Sequence, residues 1–448
     1  MSHVATIGST TQSDHTPRSS RPARSGPVRE DKYSLRSMST LALISVILTA
    51  AALFGWLSVR LLRLPISIGT MLLTVIISVL ILTVGQAFPG QHQWAMQLVG
   101  RIRFEDLILH GLLGLLLFAG AFLLDLLYLS REKLAVTLLA LIGTLLSTAA
   151  LASLLHWTLP LLGIPAPWIE CLFFGALISP TDPVAVLEML HRTGVPKNIE
   201  AQLAGESLFN DGIGAVLFLA VLEAARGQNP SIAHIGGLLI LQSGGGLLLG
   251  IALAKIASEL MRRVEAYQIE ILLTLSLALG GYALAEILHL SAPLEAVAAG
   301  LALRRFNMDH AHVEISHESL DRFWRVIDEV QNAVLFVLLG LELLAIPFTR
   351  HDFESGALAI VSVIAVRTAV VVLVLGLIRL LQPGHKSSPL VLSWGGLRGG
   401  LSIALALSIP AAQSHTWILA TTYVVVAFSV VVQGGTLDLF LKRFGHFD

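Results

Sequence analysis

Two aspartates stand inside long, predominantly apolar segments. Asp182 lies in Leu-Ile-Ser-Pro-Thr-Asp-Pro-Val-Ala-Val (177–186) and Asp211 in Gly-Glu-Ser-Leu-Phe-Asn-Asp-Gly (205–212). A charged side chain at the centre of a lipid-exposed helix costs roughly 2.5–3.5 kcal/mol to insert, so acids at such depth mark functional sites by default. Oxygen donors accompany both: the hydroxyls of Thr181 and Ser207 and the amide of Asn210. Carboxylates, hydroxyls and carbonyls suit hard cations. A carboxyl group sunk in low dielectric also holds its proton more tightly than in water. A cation and a proton then compete for one carboxylate, and that competition can couple their movements.

The backbone at Asp182 adds to the ligand set. Pro180 and Pro183 each lack an N–H and clash one turn back, which strips the carbonyls of Ala176 and Ser179 of helical partners. Ser179 and Asp182 each precede a proline and are pushed away from helical angles. Irregular backbone at membrane depth is tolerated only where it packs in protein or lines a wet cavity. A second break is expected at Trp394-Gly395-Gly396-Leu397-Arg398-Gly399-Gly400, since glycine costs about 1 kcal/mol per helical position relative to alanine. Two broken helices that cross bring opposite half-helix dipole ends together. Asp182 and Arg398 have the signs to offset them, and Arg398 is read as the charge-compensating residue of the crossing.

On the helix that follows, Ser207 and Asp211 share a face, as do Glu206 and Asn210. Arg367 is alone in Val-Ile-Ala-Val-Arg-Thr and must find a buried acid.

The chain that positions these residues has 448 residues, 55% hydrophobic and 13% charged, with mean hydropathy +0.78. Soluble domains carry about 25% charged residues, so this is an all-α polytopic membrane protein. The net charge of −1 points to no nucleic-acid partner. No Gly-x-x-x-x-Gly-Lys-Ser/Thr loop is present, which disfavours ATP-driven chemistry. No cofactor is expected. The single cysteine, Cys171, excludes an intramolecular disulfide. Residues 1–38 read as a disordered polar tail, 39–441 as the membrane domain, and 442–448 as a short C-terminal tail.

Runs of about 20 apolar residues mark spanning helices. About thirteen candidates cover roughly 40–59, 65–84, 107–127, 134–158, 168–190, 200–224, 235–258, 268–288, 291–304, 324–346, 357–381, 388–410 and 416–440. The ninth is short and rich in alanine. The connections at 85–106 and 305–323 are the longest. If helices 1–6 and 8–13 form two inverted repeats, the breaks fall in matching slots, helices 5 and 12, a common plan in secondary transporters. Sixteen basic residues, Arg60, Arg63, Arg131, Lys133, Arg192, Lys197, Lys255, Arg262, Arg263, Arg304, Arg305, Arg322, Arg379, Lys386, Lys442 and Arg443, fall on one set of connections, against four, Arg101, Arg103, Arg226 and Arg350, on the other. That bias puts the C-terminus on the cytoplasmic side, although the arginines of the N-terminal tail argue against the exported N-terminus that an odd helix count requires. Glu342 and the pair Asp328/Glu329 are read either as lining an access funnel or as interfacial acids at helix ends; Glu286 and Glu295 are read as structural.

Ser-Pro-Thr-Asp-Pro-Val-Ala-Val at 179–186, Gly-Glu-Ser-Leu-Phe-Asn-Asp-Gly at 205–212 and Gly-Gly-Leu-Arg-Gly at 395–399, in this order, resemble the monovalent cation/proton antiporter-1 family, the NhaP-type and eukaryotic-exchanger-like sodium/proton antiporters. The resemblance runs from about residue 40 to 440. It implies a homodimeric thirteen-helix secondary transporter, not an enzyme, in a bacterial-type inner membrane. Its core would hold helices at about 107–190 and 324–410, the remaining helices would serve dimerisation and linking, and 200–224 would carry the ion-site Asn-Asp pair. By resemblance, Asp211 is the exchanging carboxylate, Asp182, Thr181 and Ser207 are cation ligands, and Asn210 marks electroneutral one-for-one exchange of sodium (or potassium or lithium) for a proton. Glu206 resembles a structural acid paired with Arg367. One departure concerns helix 3, where some members carry a site glutamate: Leu117-Phe118-Ala119-Gly120-Ala121 has none, and the nearest acid is Asp125. Two other classes compete. An intramembrane aspartyl protease built on Asp182 and Asp211 needs a Gly-x-Gly-Asp signature that Leu208-Phe209-Asn210-Asp211 lacks, and a cation channel needs no proton-binding carboxylate.

Overall fold

The computed structural model describes residues 40–84, 103–182, 186, 187, 190, 195–228, 236–264, 266–308, 314–346, 348–385, 387–410 and 416–444. The chain divides into residues 1–45, of which only 40–45 at the start of the first helix are described, and residues 46–448. The polar tail at 1–38, Pro183 and the last four residues lie outside the described set.

Among the described residues every regular element is helical. The principal ones, in chain order, are α1 (Thr40–Leu57), α2 (Ile66–Val84), α3 (Phe104–Leu123), α4 (Lys133–Leu162), α5 (Trp168–Ile178), α6 (Lys197–Glu223), α7 (Gly236–Met261), α8 (Tyr267–Ile287), α9 (Ala292–Met308), α10 (Glu314–Glu342), α11 (Arg350–Leu381), α12 (Pro389–Trp394), α13 (Gly400–Leu407) and α14 (Trp417–Arg443). Nine described helices are long and apolar enough to cross a membrane: α1 to α4, α6 to α8, α11 and α14. Large apolar side chains such as Leu53, Trp56, Ile251, Leu272, Val361 and Leu373 remain exposed on these helices. Such faces match a lipid environment, which needs no polar cover.

Three features of these helices have identifiable causes. First, α10 begins at Glu314, where a loop was expected. Leu320 and Trp324, one turn apart, are both buried and anchor the added turns, and the Trp324 indole N–H donates to Thr274 Oγ1 at 3.1 Å. Second, α11 begins at Arg350 rather than near 357. Thr349 and Asp352 form a capping box, with both the Thr349 N–H and its hydroxyl 2.7 Å from Asp352 Oδ2, which satisfies donors that a helix start leaves orphaned. Third, α9 is weakly apolar because protein rather than lipid surrounds it. It packs on α7, α3 and α8, and Gly246, Gly250 and Gly300 bring backbones into contact there, the role small residues play in membrane helix packing.

Both expected breaks are present. The helical run of α5 stops at Ile178, and residues 186, 187 and 190 are helical again beyond it. Between α12 and α13 the chain runs unwound through Gly395–Gly399. The two unwound stretches meet: the Asp182 N–H donates to the Leu397 carbonyl at 2.8 Å, an isolated antiparallel bridge.

Candidate functional site

The crossing is held by one guanidinium. Nη1 of Arg398 donates to the carbonyls of Ser179, at 2.6 Å, and Pro180, at 2.9 Å. Ser179 O is one of the two carbonyls that the proline pair was expected to orphan. A cation against the C-terminal end of α5 has the favourable sign for that helix dipole. The Arg398 N–H in turn donates to Ser429 Oγ at 2.9 Å, whose hydroxyl donates to Gln433 Oε1 at 2.8 Å. Arg398 is thus fastened to α14 behind it as well as to α5 in front.

Asp182 occupies the complementary position. Its carboxylate lies against Gly399, the N-cap of α13, so closely that a Cβ at 399 would collide with it. This close approach is why glycine stands there. An acid at the N-terminal end of a half-helix again has the favourable sign.

The α6 side chains complete the cluster. The Thr181 and Ser207 hydroxyl oxygens are 2.9 Å apart. The Asn210 amide nitrogen donates to Thr181 Oγ1 at 2.9 Å, and its carbonyl oxygen accepts the Thr181 N–H at 3.3 Å. Asn210 therefore faces the break together with Ser207, three residues earlier on α6, and does not turn away with Glu206. Gly214 lets α6 approach this closely, because a Cβ there would strike the Pro180 ring.

Asp211 is buried, and Asp182 is the charged group that acts on it. Both line a cavity of about 1040 Å³ together with Pro180, Thr181, Gly399 and Ser402. The cavity wall extends to Asp125, Lys197, Glu200, Arg304, Asp321 and Arg325. Asp328 and Glu329 line it as well. Asp125 is no substitute for the missing helix-3 acid: its carboxylate accepts the Leu127 N–H at 3.0 Å and caps a short helix, Leu126–Arg131.

Glu206 points to the other side of α6, where Arg367 of α11 grips it in a bidentate pair, with Nη2 at 2.9 Å from Oε2. Arg367 Nη2 also donates to Leu392 O at 3.0 Å. Both side chains are buried. Glu295 is fully buried between α8 and α9, against Gly281, and Glu342 is buried at the far end of α10. Sequence reasoning missed Ser402 and Asn332 as wall residues. Asn332 was detectable, since it continues the series Asp321, Arg325, Asp328 at helical spacing.

A polytopic helical fold whose two broken helices cross beside one buried and one half-buried carboxylate, Asp211 and Asp182, defines a class of membrane protein. The model of the family described as "Sodium/hydrogen exchanger, transmembrane" matches residues 47–443, and the chain belongs to that family. It is 37% identical to the Na(+)/H(+) antiporter NhaP of Pseudomonas aeruginosa over 90% of this chain and 96% of that protein. It is 32% identical to the Na(+)/H(+) antiporter NhaH of Halobacillus dabanensis, over 76% and 84% of the two chains. Among solved structures, the sodium proton antiporter MjNhaP1 from Methanocaldococcus jannaschii at pH 8 has the same fold, with TM-score 0.68 at 20% identity, covering 91% of this chain and 99% of that one.

Proposed function

We propose that this protein is a secondary antiporter that exchanges a monovalent cation, sodium before potassium or lithium, for a proton, one for one. One observation carries the reading. Asp211 faces a large cavity beside a second acid, Asp182, and among the described residues it makes no ion pair. A pair of acids so placed cannot both stay charged and empty, so a proton or a cation from solution must supply the balance. Asp211 and Asp182 would be the exchanging carboxylates, with the Thr181 and Ser207 hydroxyls as further ligands. Asn210 holds Thr181 in place without adding a second titrating charge on α6, in keeping with electroneutral exchange. Arg398 offsets the end of α5, and Glu206 with Arg367 forms a structural pair.

The same reading includes thirteen spans in two inverted repeats, with the crossing of α5 and the α12–α13 break as their matching slots. It includes a core of α3–α5 and α10–α13, a homodimer through the remaining helices, and a cytoplasmic C-terminus in a bacterial-type inner membrane. The meeting of Asp182 with Leu397 supports the repeat scheme, and the names of the relatives support the substrates.

The test is a pH-dye measurement in everted vesicles. Sodium, potassium and lithium chloride are added in turn, with and without a membrane potential. Cation-driven dequenching that is insensitive to potential is expected for the wild type and absent for Asp211→Asn. Near-normal exchange in that variant would refute the mechanism.

A further inference from the structure

The face of α10 that lines the cavity does not end where the cavity does. Asp321, Arg325, Asp328, Asn332 and Leu335 all line it, and they recur every three or four residues, one stripe along the helix. Leu335, the last α10 residue on the cavity wall, meets Gly400 at the start of α13, a contact so close that a Cβ on Gly400 would lie 2.7 Å from Leu335 Cδ1. The stripe runs on through Leu339, which is fully buried, to Glu342. Glu342 therefore lies on the same face as Asn332 and Leu335, about 10 Å beyond Leu335 at the helical rise, and does not line the cavity.

Glu342 is buried in an unusual setting. Its Oε2 has no hydrogen-bond partner among the described residues, and the same holds for Tyr423 Oη and Thr422 Oγ1 on α14. Tyr423 is close enough to feel the Glu342 charge. Buried polar groups are normally paired, and each exception calls for an explanation. Leaving three unpaired polar groups on two helices is costly for a merely structural contact. The arrangement makes sense if these groups are solvated in another state of the protein.

We propose that Glu342, with Tyr423 within its electrostatic reach, is a second station for the monovalent cation, on the half of the path that is closed here. When that half opens, water reaches Glu342, and the carboxylate receives a cation before it passes Leu339 and Leu335 to Asp182 and Asp211. The inference rests on the antiport reading and extends it to the face of the membrane that carries the Arg350 connection.

The experiment compares the two membrane faces. Sodium-driven pH change is recorded in everted and right-side-out vesicles for the wild type, Glu342→Gln and Glu342→Asp. Glu342→Gln is expected to raise the half-saturating sodium concentration about three- to tenfold on the Arg350 face, the scale of one lost electrostatic contact. It should change little on the Lys197 face, and Glu342→Asp should restore most of the loss. An unchanged value on both faces, or an equal rise on both, would overturn the station. A wild type that responds to no salt would instead remove the antiport reading itself.

A labelling measurement covers a variant that folds poorly. Cys171 is the single cysteine, so Glu342→Cys in a Cys171→Ala background carries one thiol. A membrane-impermeant maleimide should label it from the Arg350 face, at a rate that sodium changes severalfold. Labelling from the Lys197 face alone, or from neither face under any salt condition, would overturn the proposal.

Discussion

Glu206 and Asp211 sit within two turns of one helix, are both acids and are both buried, yet their surroundings are opposite. Glu206 is met by a bidentate arginine from α11 and is shut off from the cavity. Asp211 is met by another acid across an open cavity. An acid whose counter-charge is part of the chain has no need of an ion from solution. An acid without one must take a proton or a cation, and which of the two it takes can change with their concentrations. On the proposed reading, function in this site comes from withholding a partner, while stability comes from supplying one.

The largest effect should separate these roles outright. Asp211→Asn is expected to abolish cation-driven pH change in vesicles while leaving the detergent-solubilised protein no less stable to heat, because it removes an uncompensated buried charge. A fall in melting temperature to match the lost activity would break the comparison. Arg367→Ala should behave in the reverse sense. It strands Glu206, and breaking one side of a buried pair costs about 3–5 kcal/mol, read as a lower unfolding midpoint. The double variant Glu206→Leu/Arg367→Leu should recover a large part of that loss; no recovery would mean that the pair is not the source of the cost.

A smaller effect is expected from Gly399→Ala. The new methyl group collides with the Asp182 carboxylate, and overpacking of this kind costs about 1–3 kcal/mol. Exchange should weaken more than stability, because the displaced group belongs to the crossing. Ser207→Ala should have the smallest effect. It removes one hydroxyl contact with Thr181, worth about 1 kcal/mol, and should raise the half-saturating cation concentration with little change in melting temperature.

Much of this site was legible in the amino-acid sequence because its causes are local. Pro180 sits two residues before Asp182, and a proline cannot continue the hydrogen-bond ladder whatever surrounds it. Gly395 to Gly400 weaken a helix for equally local reasons. An arginine alone among valines and isoleucines implied a buried acid, and the structure supplies Glu206. The face-sharing rule on α6 was only half informative. It grouped Asn210 with Glu206, whereas Asn210 reaches Thr181 beside Ser207, since residues three apart are neighbours as well.

Local chemistry by itself determined where the helices break, which residues carry charge into the membrane, and that two acids with oxygen-bearing neighbours stand close in sequence to those breaks. Only the tertiary structure decided that the breaks meet, with Asp182 bridged to Leu397 and Arg398 bound to Ser179 and Pro180 across more than two hundred residues of chain. It also decided that α10 begins at Glu314, and that its charged stripe forms one wall of the Asp211 cavity. The reason is physical. A proline or a glycine acts on its own backbone, whereas a counter-charge, a cavity wall or a close helix approach exists only once distant segments have packed against each other.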